Sequence, residues 1–138
     1  MEITLKDIIN VENVFKKLIK MHFVNYKISL KIALAYKDID EKVKFYTDEE
    51  AKLVEDYAEK DDNGKVKLFG DNQIHFKNPE DSIKFHEGIT SLQNTKVEIF
   101  DKFSIDISDF KGDSCDLTPV DILILNDFIE IKTQETLN

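Results

Sequence analysis

The sequence predicts an α+β fold with an N-terminal αα-hairpin whose second helix is long, a small antiparallel β-sheet, and two further short helices. Three observations carry that expectation. Apolar residues recur every three or four positions through the first sixty residues, as on amphipathic helices. Two short runs flanking Gly70-Asp71-Asn72 alternate in the manner of strands. Two prolines, in Asn78-Pro79 and Thr118-Pro119, each follow a capping residue and open a helix.

Met1–Leu5 alternates polar and apolar residues and reads as a short strand. From about Lys6 the spacing changes, with Ile8, Val11, Phe15, Leu18 and His22 forming one helical stripe. His22 is expected there as a half-buried packing residue. Phe23–Tyr26 breaks the pattern, and Ile28, Ile32, Ala35, Ile39, Val43 and Tyr46 open a coiled-coil-like seam that Leu53 and Tyr57 continue. Thr47-Asp48-Glu49-Glu50 matches a capping box, so a restart at Asp48 competes with one helix, bent there, running to about Lys60. The single long helix is the favoured reading.

Asp61-Asp62-Asn63-Gly64 signals a turn, and Lys65–Phe69 with Gln73–Phe76 a hairpin. A third helix is expected from about Pro79 to Asn94. Val97, Ile99, Phe103, Ile105 and Ile107 then alternate as an extended segment interrupted at Asp101-Lys102. The last helix starts at Thr118 and Pro119 with Asp121 in its first turn. Ile122, Leu125, Phe128 and Ile129 are expected on its buried face, ahead of a polar tail.

At 138 residues, with 41% apolar and only 4 Gly, the chain is sized for a single domain spanning 1–138 with a core of its own. One cysteine, Cys115, excludes an internal disulfide, and its neighbours Asp113 and Asp116 disfavour a reactive thiolate. Met1–Lys6 lacks the basic and apolar stretches of a signal peptide, and no apolar run approaches a membrane span. The expectation is a cytoplasmic protein, in the host cytoplasm if phage-encoded, with no membrane partner.

A leading strand, an αα-hairpin ending in Glu50…Leu53-Val54-Glu55-Asp56-Tyr57-Ala58-Glu59-Lys60-Asp61…Asn63-Gly64, a hairpin and a closing Leu117-Thr118-Pro119-Val120-Asp121-Ile122-Leu123 helix resemble a family of small phage and prophage proteins of low-GC Gram-positive bacteria. That resemblance touches most of the chain through its helix caps and composition. It implies a phage origin and carries over no activity or site residue.

The constellations that would make an enzyme are missing from the sequence. Glu59, Asp61, Asn63 and Gly64 fit the start of a calcium loop, but Gly70 stands where the bidentate glutamate belongs. Asp106, Asp109, Asp113 and Asp116 surround Gly112 without a ligand spacing, and His22, His75 and His86 have no partner three or four residues away. The expectation is a non-enzymatic protein with no cofactor and no metal.

Charge is what remains. All 19 basic residues are Lys, so anion recognition must use mobile point charges instead of guanidinium forks. Residues 1–46 carry net +3 and the rest net −12; residues 13–37 hold six Lys and no acid, whereas Asp38–Asp62 holds 11 acids. Lys16 and Lys20 on the first helix, with Lys27 and Lys31 on the second, are expected to converge near the Phe23–Tyr26 bend. Asn25, Tyr26 and Tyr36 would add an amide and aromatic faces, completing a candidate site for a small anionic nucleotide-type ligand. The competing reading makes these lysines a solvated helix face. Net charge −9 disfavours a long nucleic acid.

Function is therefore expected to be binding: a phage-encoded protein that counters host defence by sequestering a small anionic signal or by occluding a host protein. The alternative is a structural or assembly protein of the phage particle, a tail accessory or chaperone, acting through protein–protein contacts. Basic and acidic helices meeting between copies would give a homo-oligomer.

Overall fold

A computed structural model describes residues 1–68 and 73–133. Its elements are β1 (Glu2–Thr4), α1 (Leu5–Leu18), α2 (Tyr26–Tyr57), α3 (Pro79–Gln93), β2 (Lys96–Glu98), β3 (Phe103–Asp106), α4 (Pro119–Leu125) and β4 (Ile129–Lys132), with a 3-10 turn at Ile107–Asp109. The architecture is α+β, as the sequence predicts. Contacts divide the chain into two compact units. The first is built from residues 1–43 and the described residues after Thr95, the second from residues 44–95. α2 contributes to both.

In the first unit Thr4 ends β1 and begins α1 by accepting the N–H of Asp7 on its hydroxyl at 3.3 Å. Leu5, Ile8, Val11, Phe15 and Leu18 are wholly buried along one stripe of α1. Ile32, Ala35 and Ile39 of α2 are buried as well, as the seam predicts. Phe15 meets the edges of Phe100 and Phe128 at centroid distances of 6.0 and 6.2 Å. Asp38 on α2 reaches the connection between β2 and β3, where its Oδ2 accepts the N–H of Phe100 at 2.8 Å.

Strand pairing differs from the single small antiparallel sheet expected. β1 pairs antiparallel with β2, placing Ile3 opposite Val97. β3 pairs with β4 in parallel, Phe103 opposite Ile129 and Ile105 opposite Ile131. α4 is the crossover between the parallel strands. It ends at Leu125, short of the predicted extent: the N–H of Phe128 turns back to the Leu125 carbonyl at 2.8 Å, and Ile129 opens β4. In Ile129-Glu130-Ile131-Lys132 the apolar side chains fall on alternate positions, which satisfies a strand where a helical spacing had been read. The interruption at Asp101-Lys102 is present between β2 and β3.

In the second unit α2 passes through Thr47 without a break, so the capping box there is unused. An antiparallel bridge joins Leu68 to Ile74 across the predicted hairpin, and two more join Val66 to Lys60 and Phe76 to Ala58, residues just past the end of α2 where the sequence predicts the helix to continue. The hairpin's Gly70-Asp71-Asn72 turn lies outside the described residues. Asp61 Oδ1 accepts the N–H groups of Asn63 and Lys65 at 2.8 and 3.0 Å, and Gly64 takes φ +78°. The stretch that resembled a calcium loop is thus a side-chain-closed turn. Asn78 caps α3 by accepting the N–H of Asp81 at 2.9 Å. Among the described residues no helix is long and apolar enough to cross a membrane.

Candidate functional site

The last turn of α1 closes with the N–H of Lys20 on the Lys17 carbonyl and that of Met21 on Leu18, both at 3.1 Å. The chain then runs beside residues 109–114. Val24 donates to the Asp109 carbonyl and Lys111 to the His22 carbonyl, each at 2.9 Å. The Phe23 and Phe110 rings lie 5.0 Å apart. Gly112, at φ +56°, lets the second loop fold back, and Ser114 Oγ then donates to the same His22 carbonyl at 2.7 Å. Two segments some ninety residues apart in sequence are fixed side by side.

The result is a cleft of about 340 Å³ lined by Lys16, Lys17, Lys20, Met21, Ser114 and Asp116. Lys16 Nζ lies 2.8 Å from Glu12 Oε1, and this hydrogen bond with its charge attraction holds the ammonium above the usual lysine range. Lys17 Nζ lies 2.7 Å from Asp121 Oδ2. The Lys17 hydrogen bond, followed by the backbone N–H of Thr118, holds the Asp121 carboxyl below the usual range. Lys20 makes no ion pair among the described residues. The cleft therefore offers one free ammonium and two held in exposed pairs, with Asp116 as a counterweight.

The chain matches no family model, no curated protein and no solved structure.

Of the seven residues the sequence marks out, Lys16 and Lys20 line this cleft, and the other five do not. Asn25 is occupied in structure: its Oδ1 accepts the N–H of Lys27 at 2.8 Å, and its carbonyl accepts Ile28 and Ser29. It starts α2 as a cap. Tyr26 is 76% exposed, and Lys27 is exposed on the same turn. Lys31 Nζ sits 5.5 Å from the centre of the Phe103 ring, a cation–π contact. Tyr36 is half-buried and near enough to Lys16 to act on its charge.

Lys17, Met21, Ser114 and Asp116 complete the lining. Lys17 lies within the acid-free segment, whereas Ser114 and Asp116 sit in a loop whose acids show no ligand spacing in the sequence. His22, expected to be half-buried, is exposed and contributes its carbonyl. It lies past the end of α1, where the helical spacing that placed it on the stripe no longer applies.

Two of the loop's four aspartates serve its own backbone. Asp106 Oδ1 accepts both the N–H and the hydroxyl of Ser108, at 3.0 and 2.9 Å, and these bonds, the backbone one first, hold its carboxyl low. Asp109 Oδ2 accepts the N–H of Asp106 at 2.8 Å. Among the described residues no group of three or more His, Cys, Asp or Glu is arranged to hold a metal ion.

Proposed function

We propose that the protein is a non-enzymatic, phage-encoded binding protein that sequesters a small anionic, nucleotide-type signal of host defence, using the cleft at the end of α1. The observation that carries this reading is the convergence of Lys16, Lys17 and Lys20 on one cleft with Ser114. Its 340 Å³ falls at the small end of the range that small-molecule sites occupy, which fits a mononucleotide-sized ligand. The pairs of Lys16 and Lys17 are solvent-screened and weak, so a phosphate can draw both ammonium groups away from Glu12 and Asp121. Ser114 has committed its proton to His22 and faces a ligand as an acceptor, suited to a sugar hydroxyl. The phage origin rests on the family resemblance alone, and the role against host defence is proposed from that origin together with the lysine cleft.

Isothermal titration with a panel of linear and cyclic nucleotides tests the proposal, alongside native mass spectrometry of protein purified from a bacterial host. Saturable binding by the parent, lost in the Lys16→Ala/Lys17→Ala/Lys20→Ala variant with its circular dichroism unchanged, supports it. A parent that ignores the whole panel, or a triple variant that binds equally well, overturns it.

A second reading, a phage structural or assembly protein acting by protein contact, is favoured by α2. Tyr26, Leu30 and Leu34 stand one turn apart and are 76, 55 and 58% exposed. Light scattering of the parent and of Leu30→Glu/Leu34→Glu tests it. A parent oligomer that the double variant dissociates supports assembly through this face, and an unchanged state counts against it.

A further inference from the structure

We infer that the second unit carries a ligand site of its own, centred on His86 and suited to a flat, amino-substituted heteroaromatic ring. An open surface and a cleft meet at this side chain. The surface runs along one face of α3 and is formed by Ser82, Ile83, His86, Glu87, Thr90 and Ser91. The cleft, of about 470 Å³, is lined by Gln73, Ile74, Phe76, Phe85 and His86. Phe76, Phe85 and His86 form a mutual ring cluster, with centroids 5.3, 5.4 and 6.1 Å apart. Ile83 adds an apolar side chain that is 58% exposed. Such a floor favours a planar ring that lays one face against it.

The polar groups select which ring. His86 Nδ1 lies 2.7 Å from the Ser82 carbonyl, which only accepts, so Nδ1 carries the proton. With the proton on Nδ1, the uncharged form of the ring presents Nε2 as an acceptor. Glu87, on the same open face of α3, is a second acceptor and carries negative charge. Two acceptors beside an apolar floor call for a ligand with N–H donors and without an acid group. An amino-substituted heteroaromatic meets that description; an aromatic carboxylate or a bare hydrocarbon does not. The site shares no residue with the lysine cleft, so the inference stands whether or not that cleft binds nucleotides.

The test is a titration of the full chain with 2-aminopyrimidine, with pyrimidine as the matched ring lacking donors, followed through the imidazole nitrogen resonances of His86. The expected result is a saturable shift of Nε2 with 2-aminopyrimidine and about tenfold weaker binding of pyrimidine, the scale of one hydrogen bond that the unsubstituted ring cannot donate. Because His86 is exposed on a helix, His86→Ala keeps the fold; saturation-transfer NMR on the ligand's own resonances should show binding abolished in that variant and unchanged in Lys20→Ala. No saturable shift, equal binding of the two rings, or full binding by His86→Ala would overturn the inference.

Discussion

Lys17 on α1 and Asp121 on α4 are 104 residues apart in sequence and meet at 2.7 Å. Asp121 uses the same Oδ2 to accept the N–H of Thr118 at 3.0 Å, while Thr118 Oγ1 accepts the N–H of Asp121 at 3.2 Å. One carboxylate thus closes the cap of α4 and ties α4 to α1. The same pair holds one of the three ammonium groups of the cleft.

This double use sets an acid dependence. Asp121 has a lowered folded pKa, so its contribution to stability is complete above about pH 4, the ordinary aspartate range, and is lost as pH falls through the lowered value. Denaturant unfolding at pH 7 and pH 3 should show a smaller acid loss for Lys17→Ala than for the parent. Equal losses would mean that the pair does not hold the carboxyl low.

The caps give a second expectation. Thr118→Ala and Asn25→Ala should each cost about 1 kcal/mol, since each leaves a helix-start N–H without its side-chain acceptor. Asn25→Ala should leave nucleotide binding intact, because Asn25 starts α2 and does not line the cleft. Urea unfolding and the titration described above measure the two effects separately.

Phe15 is the packing centre of the first unit. Fully buried and flanked edge-on by Phe100 and Phe128, it should cost about 3–5 kcal/mol when changed to Ala. Phe15→Leu, which keeps most of the volume, should cost far less. Comparable losses in urea would show that the ring contacts, more than the filled volume, hold this core.

Gly88 offers a test of packing in the second unit. A Cβ there would lie 2.8 Å from Leu53 Cδ2, a clash relieved only by moving that side chain. The gain of about 1 kcal/mol expected for Ala over Gly in a helix is therefore offset in the parent background. In a Leu53→Ala background the clash is gone, and Gly88→Ala should stabilise by nearly the full amount. A double-mutant cycle reads the difference.

Within the lysine cleft, the ion pairs rank the residues. Lys20→Ala should weaken nucleotide binding by about tenfold, the scale of one charged hydrogen bond, and Lys16→Ala by less because Lys16 already has Glu12. Asp116→Asn should tighten binding by removing a repelling charge from the lining. Calorimetry that ranks the three otherwise would displace the anion from this cleft.

Much of the fold is legible along the chain because its causes are local. The buried stripe of α1, the buried face of α2, the Asn78-Pro79 and Thr118-Pro119 starts and the turn at Asp61–Gly64 each follow from residues within a few positions of one another. Local spacing failed at Phe128-Ile129. An apolar pair there fits either the last turn of a helix or the first residues of a strand, and the pairing of Ile129 with Phe103 decides between them. The candidate site was only half legible. Lys16 and Lys20 stand out as charges in an acid-free run, but nothing near them points to Ser114 or Asp116.

The sequence by itself determined the α+β class, the helix starts, the faces to be buried and a lysine-only chemistry for anions, since propensity, capping and periodicity act over a few residues. Tertiary structure decided the parallel pairing of β3 with β4, the clamp of residues 22–24 on 109–114, and so which lysines share a cleft. Those outcomes depend on contacts between loop segments of the first unit about ninety residues apart, and on the β3–β4 register, which no local pattern encodes.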